Sequence, residues 1–172
     1  MTMEKISSFG LRLQRLTLGL ILLTPLAIIV ILGMKGPLAF VTLPMGVEVN
    51  TTFLTFPRSM AIITVGLLTS AMYLFCFIFL YKLFGLYAKG IVFSEQSVMA
   101  IRRSGYALMA VDVVHIIQSA LTGPVLTAMG AVKGYLTVEI GFSMLFVGLS
   151  VVLVSRVMEM GLEIYERDQL TI

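Results

Sequence analysis

"GYALMAVDVVHIIQSALT", residues 105–122, decides between three membrane crossings and four. As a helix rising 1.5 Å per residue it is just long enough to approach a hydrocarbon core of roughly 30 Å. Yet it holds an aspartate, Asp112, and the chain's only histidine, His115. An Asp near a helix centre costs about 2.5 to 3.5 kcal/mol on insertion, and each Leu, Ile or Val returns only about 0.3 to 0.6 kcal/mol. The segment therefore crosses only with the support of neighbouring helices, and on that reading it is the third of four spans.

The rest of the chain is more plainly apolar. Its 172 residues are 59% hydrophobic and 12% charged, with a mean hydropathy of +1.04. Soluble domains carry about 45 to 50% apolar and about 25% charged residues, so the excess is matched to lipid. Three further runs reach spanning length, at about 16–32, 60–84 and 138–157. The expected fold is all-α, an integral membrane four-helix bundle in one domain covering residues 1–172. In the first run Pro25 follows Thr24, a kink that neighbours can support in a membrane. That run exceeds a signal-peptide core and has no small-x-small end before Lys35, so it reads as a retained helix.

Orientation follows from the cations. Lys5, Arg12, Arg15, Lys82, Lys89, Arg102, Arg103, Arg156 and Arg167 fall on one side of this scheme, and Lys35, Arg58 and Lys133 on the other. The positive-inside rule puts both termini in the cytoplasm. The net charge of +3 and pI near 9.2 then report topology, and no direct contact with nucleic acid is expected.

Outside, residues 33–58 form a loop whose alternation at "VEVNTTFLTF" predicts an extended piece or hairpin. It includes a glycosylation tripeptide at Asn50-Thr51-Thr52. The second outer connection, "TGPVLTAMGAVKGY", is expected to be short and Gly-rich.

Inside, residues 85–104 make an elbow. Gly90 can end the second helix, and Ser94 is suited to cap the third, with Glu95 at its positive end. Phe93 and Val98 stand at the N′ and N4 positions of a hydrophobic staple. Arg102 and Arg103 mark the headgroup level. Residues 158–172 continue the fourth helix into the cytoplasm, with Glu159, Glu163 and Glu166 at helical spacing and Glu163 four residues before Arg167. The tail is either solvated or packed on the elbow or on a partner. Together Lys89, Phe93, Ser94, Arg102, Arg103, Glu159, Glu163 and Arg167 are the candidate surface for a cytoplasmic partner.

These two segments also carry a resemblance. "Lys89-Gly90-x-x-Phe93-Ser94", the Arg-containing helix start and the closing "Leu170-Thr171-Ile172" after an acidic helix resemble an uncharacterised bacterial four-span membrane family. It is catalogued as a domain of unknown function, and its genes often stand beside a small helix-turn-helix regulator. The resemblance covers the chain from about the first span to the end. It implies a bacterial inner (plasma) membrane protein that acts with a DNA-binding partner, and it carries over no catalytic residue.

At 100° per residue Asp112, His115 and Ser119 share a face with Ser104, Gly105, Leu108, Thr122 and Gly123. Ala110, Val113, Val114, Ile117 and Leu121 lie opposite, toward lipid. The last span offers Gly141, Gly148 and Ser155 every seven residues for close packing. Asp112 and His115 are read first as interhelical glue, bonded to each other or to Thr69, Ser70 and Tyr73. The competing readings are a titrating switch and a proton or solute pathway, the latter needing oligomers or hidden repeats.

Chemistry is harder to build. Cys76 is the only cysteine, so no internal disulfide or thiolate cluster forms, and one His with one Asp is too few for a metal or bis-His haem site. No cofactor, metal or catalytic residue is expected. The reading is a non-enzymatic regulatory or sensory membrane protein. Its alternatives are a transporter using Asp112 and His115 and a structural subunit of a membrane complex.

Overall fold

The computed structural model describes residues 3–41, 55–134 and 136–170, and these are helical with loops between. Helix α1 runs Met3–Lys35, followed by a 3-10 turn at Pro37–Phe40; α2 is Phe56–Gly66, α3 Leu68–Ala88, α4 Glu95–Ala128 and α5 Ser143–Leu170. Of these, α1, α3, α4 and α5 are long and apolar enough to cross a membrane. Most of the expected outer hairpin, with Asn50, lies outside the described residues.

Three of the four spans differ from the sequence expectation in an informative way. The run 60–84 is not one helix: it breaks at Leu67, between α2 and α3. The third helix does not stop at Thr122 but continues through Pro124 to Ala128. Proline removes only its own N–H and the bond to the carbonyl four residues back, a loss membrane helices tolerate. The fourth helix starts at Ser143, because residues 136–142 form no helix. The first span fits, although α1 begins far earlier, at Met3. Its Thr24 hydroxyl donates to the Leu20 carbonyl, 2.7 Å away, beside Pro25.

The long helices pack side by side in the order α1, α3, α4, α5. Among the described residues α1 does not approach α4 or α5, nor α3 approach α5, so the bundle is an open row. Glycines set two of its contacts. A Cβ at Gly10 of α1 would lie 2.7 Å from the Ala88 backbone nitrogen of α3, and beside it the Ser7 hydroxyl donates to the Ala88 carbonyl at 2.6 Å. A Cβ at Gly148 of α5 would lie 2.6 Å from the Gly105 carbonyl of α4. The expected small-residue face is therefore the α4–α5 seam, with Ser104 and Ser155 also buried. Gly141 stands apart from it, before α5 begins, with open space around its Cα.

Between α3 and α4 the seam is Cys76 against Ala107 and Val111. At the far end Ile62 of α2 packs on Leu126, Ala131 and Val132. Helix α4, with a neighbour on each side, keeps Val113, Ile117 and Leu121 exposed, as its lipid face was expected to.

Both described chain ends lie at one end of the row. The elements that carry the nine expected inner cations meet there, since the start of α1 bonds the end of α3 and the tail of α5 bonds the start of α4.

Candidate functional site

Asp112 is 7% exposed, yet it does not face His115. Its Oδ2 accepts the backbone N–H of Leu145 at 2.8 Å. Leu145 is the third residue of α5, whose first-turn amides have no partner within the helix. The residue before α5 is Phe142, which offers no side-chain acceptor, so α5 takes its cap from α4. A carboxylate there also meets the positive end of the helix dipole. Among the described residues Asp112 bonds neither His115 nor Thr69, Ser70 or Tyr73, the expected partners; its interhelical bond is instead to a backbone amide.

His115 turns to a different element. Its Nε2 lies 3.9 Å from Glu139 Oε2, too far for a hydrogen bond, with the two side chains 37% and 42% exposed. The Ser119 hydroxyl accepts the Glu139 N–H at 3.1 Å and donates to the Ile116 carbonyl at 2.9 Å. Residues 136–142 thus lie along the half of α4 away from the chain ends. Their side chains alternate: Leu136, Val138, Ile140 and Phe142 are exposed, while Thr137, Glu139 and Gly141 are half-buried. The polar face that groups Asp112, His115 and Ser119 exists, but it serves α5 and its approach, not α3.

Gln118 is the residue that sequence reasoning missed. It is 8% exposed and reaches across to the break between α2 and α3. Its Oε1 accepts the Thr69 N–H at 3.0 Å, and its amide nitrogen donates to the Gly66 carbonyl at 3.2 Å. Backbone groups freed inside a membrane must find internal partners, and one side-chain amide supplies both a donor and an acceptor. The available signal was a glutamine inside an apolar run, which demands a polar partner without naming it. Beside it the Thr69 hydroxyl is buried with no hydrogen-bond partner.

At the end with the termini, the elbow forms largely as expected. Gly90 has φ 76°, and the Ile91 N–H reaches the Leu86 carbonyl while that of Gly90 reaches Tyr87, a Schellman stop. Ser94 accepts the Ser97 N–H at 3.2 Å, and the Ser97 hydroxyl donates to the Ile91 carbonyl at 2.8 Å. The staple does not close. Val98 is buried, but Phe93 is 74% exposed. The Ser97 to Ile91 bond fixes the chain's entry in its place.

The eight residues proposed as one surface do not stay together: five of them divide between two clefts, and three lie on neither. Arg102 turns toward α5, where it donates to Glu159 at 2.5 Å, and Arg156 donates to the same oxygen at 3.0 Å. Glu95, Arg102, Glu159 and Glu163 line a groove of about 230 Å³ between α4 and the tail. Arg103, one residue and 100° further round, lines a different cleft with Lys89, between α1, α3 and α4. Phe93 and Ser94 sit on the connection between helices, and Arg167 is in the last turn of α5. Among the described residues no three His, Cys, Asp or Glu gather as metal ligands.

Four helices long and apolar enough to cross a membrane, one capped by its neighbour's carboxylate and one joined to a broken end patched by a glutamine, give the chain the character of an all-helical membrane protein. Within that class the chain belongs to the family described as protein of unknown function (DUF2975), which matches residues 26–172. No curated protein and no solved structure matches the chain.

Proposed function

We propose that this is a non-enzymatic protein of the bacterial inner membrane, with both termini cytoplasmic, that senses or regulates through a cytoplasmic partner. The observation that carries it is the Arg102–Glu159–Arg156 cluster, which fastens the tail of α5 onto the elbow. An acidic groove with Glu95 and Glu163 at its edges then becomes a fixed feature and not a loose tail. A small helix-turn-helix regulator, whose surface is basic where it meets DNA, is the partner class this groove suits.

The test is co-purification from native membranes of the full chain with a regulator encoded beside its gene. The same recovery is measured for a chain lacking residues 159–172 and for Glu163→Lys. Loss of the regulator in both is expected. Equal recovery from all three ends the role assigned to the tail.

One observation favours a second reading, transport or ligand binding. His115 and Glu139 face each other while both remain more than a third exposed, as groups on a solvent or substrate path do. Reconstituted flux that falls in His115→Ala and Glu139→Gln, with stability unchanged, would establish it over the regulatory reading.

A further inference from the structure

The cleft at the meeting of α1, α3 and α4 has a volume of about 420 Å³ and a lining unlike the groove on the other side of α4. Lys82 and Lys89 come from the last two turns of α3 and its cap, and Arg103 from α4. Among the described residues no carboxylate lines it, and none pairs with any of these three cations. Gln14 of α1 enters from the side, lying over Gly85, where a Cβ would come 3.0 Å from its amide nitrogen. Phe79, three residues deeper in α3 than Lys82, gives the cleft an apolar wall, and Met99 stands at its rim, shared with the groove on the other side of α4.

Three unneutralised cations around one cleft repel one another and attract an anion. Their level narrows the choice of anion. Lys82 is four residues short of Leu86, on the apolar part of α3, and Arg103 opens the apolar part of α4, so the cleft stands where helix meets headgroup. Phe79 extends the lining toward the apolar part of α3, where acyl chains can lie. Basic pockets between spanning helices at this level bind lipid phosphates. We propose that this cleft binds the phosphodiester headgroup of an anionic phospholipid, with Lys82, Lys89 and Arg103 holding the phosphate and Gln14 donating from α1. A lipid seated there bridges α1 to α4, which do not otherwise approach each other.

The experiment uses the purified full chain in neutral detergent, titrated with phosphatidylglycerol, phosphatidylcholine or inorganic phosphate, with native mass spectrometry counting bound lipid and a melting curve beside it. Phosphatidylglycerol is expected to be retained and to raise the melting temperature, while phosphatidylcholine does neither. At about fivefold in affinity for each cation near an anionic group, the Lys82→Gln, Lys89→Gln, Arg103→Gln triple variant should bind on the order of a hundredfold more weakly. Arg12→Gln with Arg15→Gln, cations outside the cleft, should bind as the parent does. If the triple variant is not recovered folded, single Lys82→Gln and Arg103→Gln variants carry the test, each with about a fivefold loss. Equal retention of the two lipids, or an equal loss in the Arg12 and Arg15 variant, overturns the site. Stabilisation by inorganic phosphate that matches phosphatidylglycerol overturns its assignment to lipid.

Discussion

Asp112 could have been retained for its charge or for its oxygen, and two substitutions separate these. Asp112→Asn keeps an acceptor for the Leu145 N–H, whereas Asp112→Ala leaves that amide without a partner. Losing a cap costs about 0.5 to 2 kcal/mol, and an unsatisfied buried donor about 1 to 3 kcal/mol. The expected outcome is a loss of about 1 to 3 kcal/mol for Asp112→Ala and less than half of that for Asp112→Asn, read from unfolding followed by helical circular dichroism in detergent. An asparagine variant as unstable as the alanine one would show that α5 needs the negative charge. Periodicity alone could place Asp112 on a packed face and demand a partner. It could not name Leu145, because that depends on where α5 begins, and residues 136–142 carry no helix-breaking proline to announce a late start. Ser94 was legible because its partners lie within a few residues of it.

At the scale of single helices, the two glycines within α5 make a controlled comparison. Both gain helix propensity on substitution by alanine, by about 0.5 to 1 kcal/mol. At Gly161 there is open space around the new methyl group, so Gly161→Ala should raise stability by that amount. At Gly148 the methyl would lie 2.6 Å from the Gly105 carbonyl and 2.8 Å from the Met109 nitrogen, both backbone atoms of α4. Gly148→Ala should therefore lower the melting temperature despite its better propensity, since one helix must move. The seven-residue spacing of small residues made this seam legible. The break at Leu67 was not, because its repair comes from Gln118, distant in sequence. Gln118→Leu leaves the Thr69 N–H and the Gly66 carbonyl without their partner. Its expected cost is about 1 to 3 kcal/mol, with faster hydrogen exchange confined to residues near 66–69. Exchange unchanged there would mean that the break is satisfied from elsewhere.

For the whole molecule, hydropathy and charge made the count of long apolar helices and their common end legible, but they carry no information on which helices touch. Pairing in lipid is set by small residues and a few polar contacts, since apolar side chains gain little by leaving lipid for one another. Among the described residues those contacts run only between neighbours of the row: Gly10 with Ala88, Cys76 with Ala107, Gly148 with Gly105. Among the described residues nothing comparable joins α1 to α5, and both display large apolar side chains, such as Leu11 and Val154, at 41% and 53% exposure. Disulfide trapping tests the open row, since a bridge needs Cα atoms about 4.4 to 6.8 Å apart. In a Cys76→Ala background, Ser7→Cys with Ala88→Cys should link within one chain on mild oxidation, reporting the contact between the start of α1 and the end of α3. Leu11→Cys with Val154→Cys should give no intrachain link, and any covalent product should run as a dimer on a non-reducing gel. An intrachain bridge from the second pair would mean that the row closes into a ring in the membrane, with α1 and α5 as neighbours.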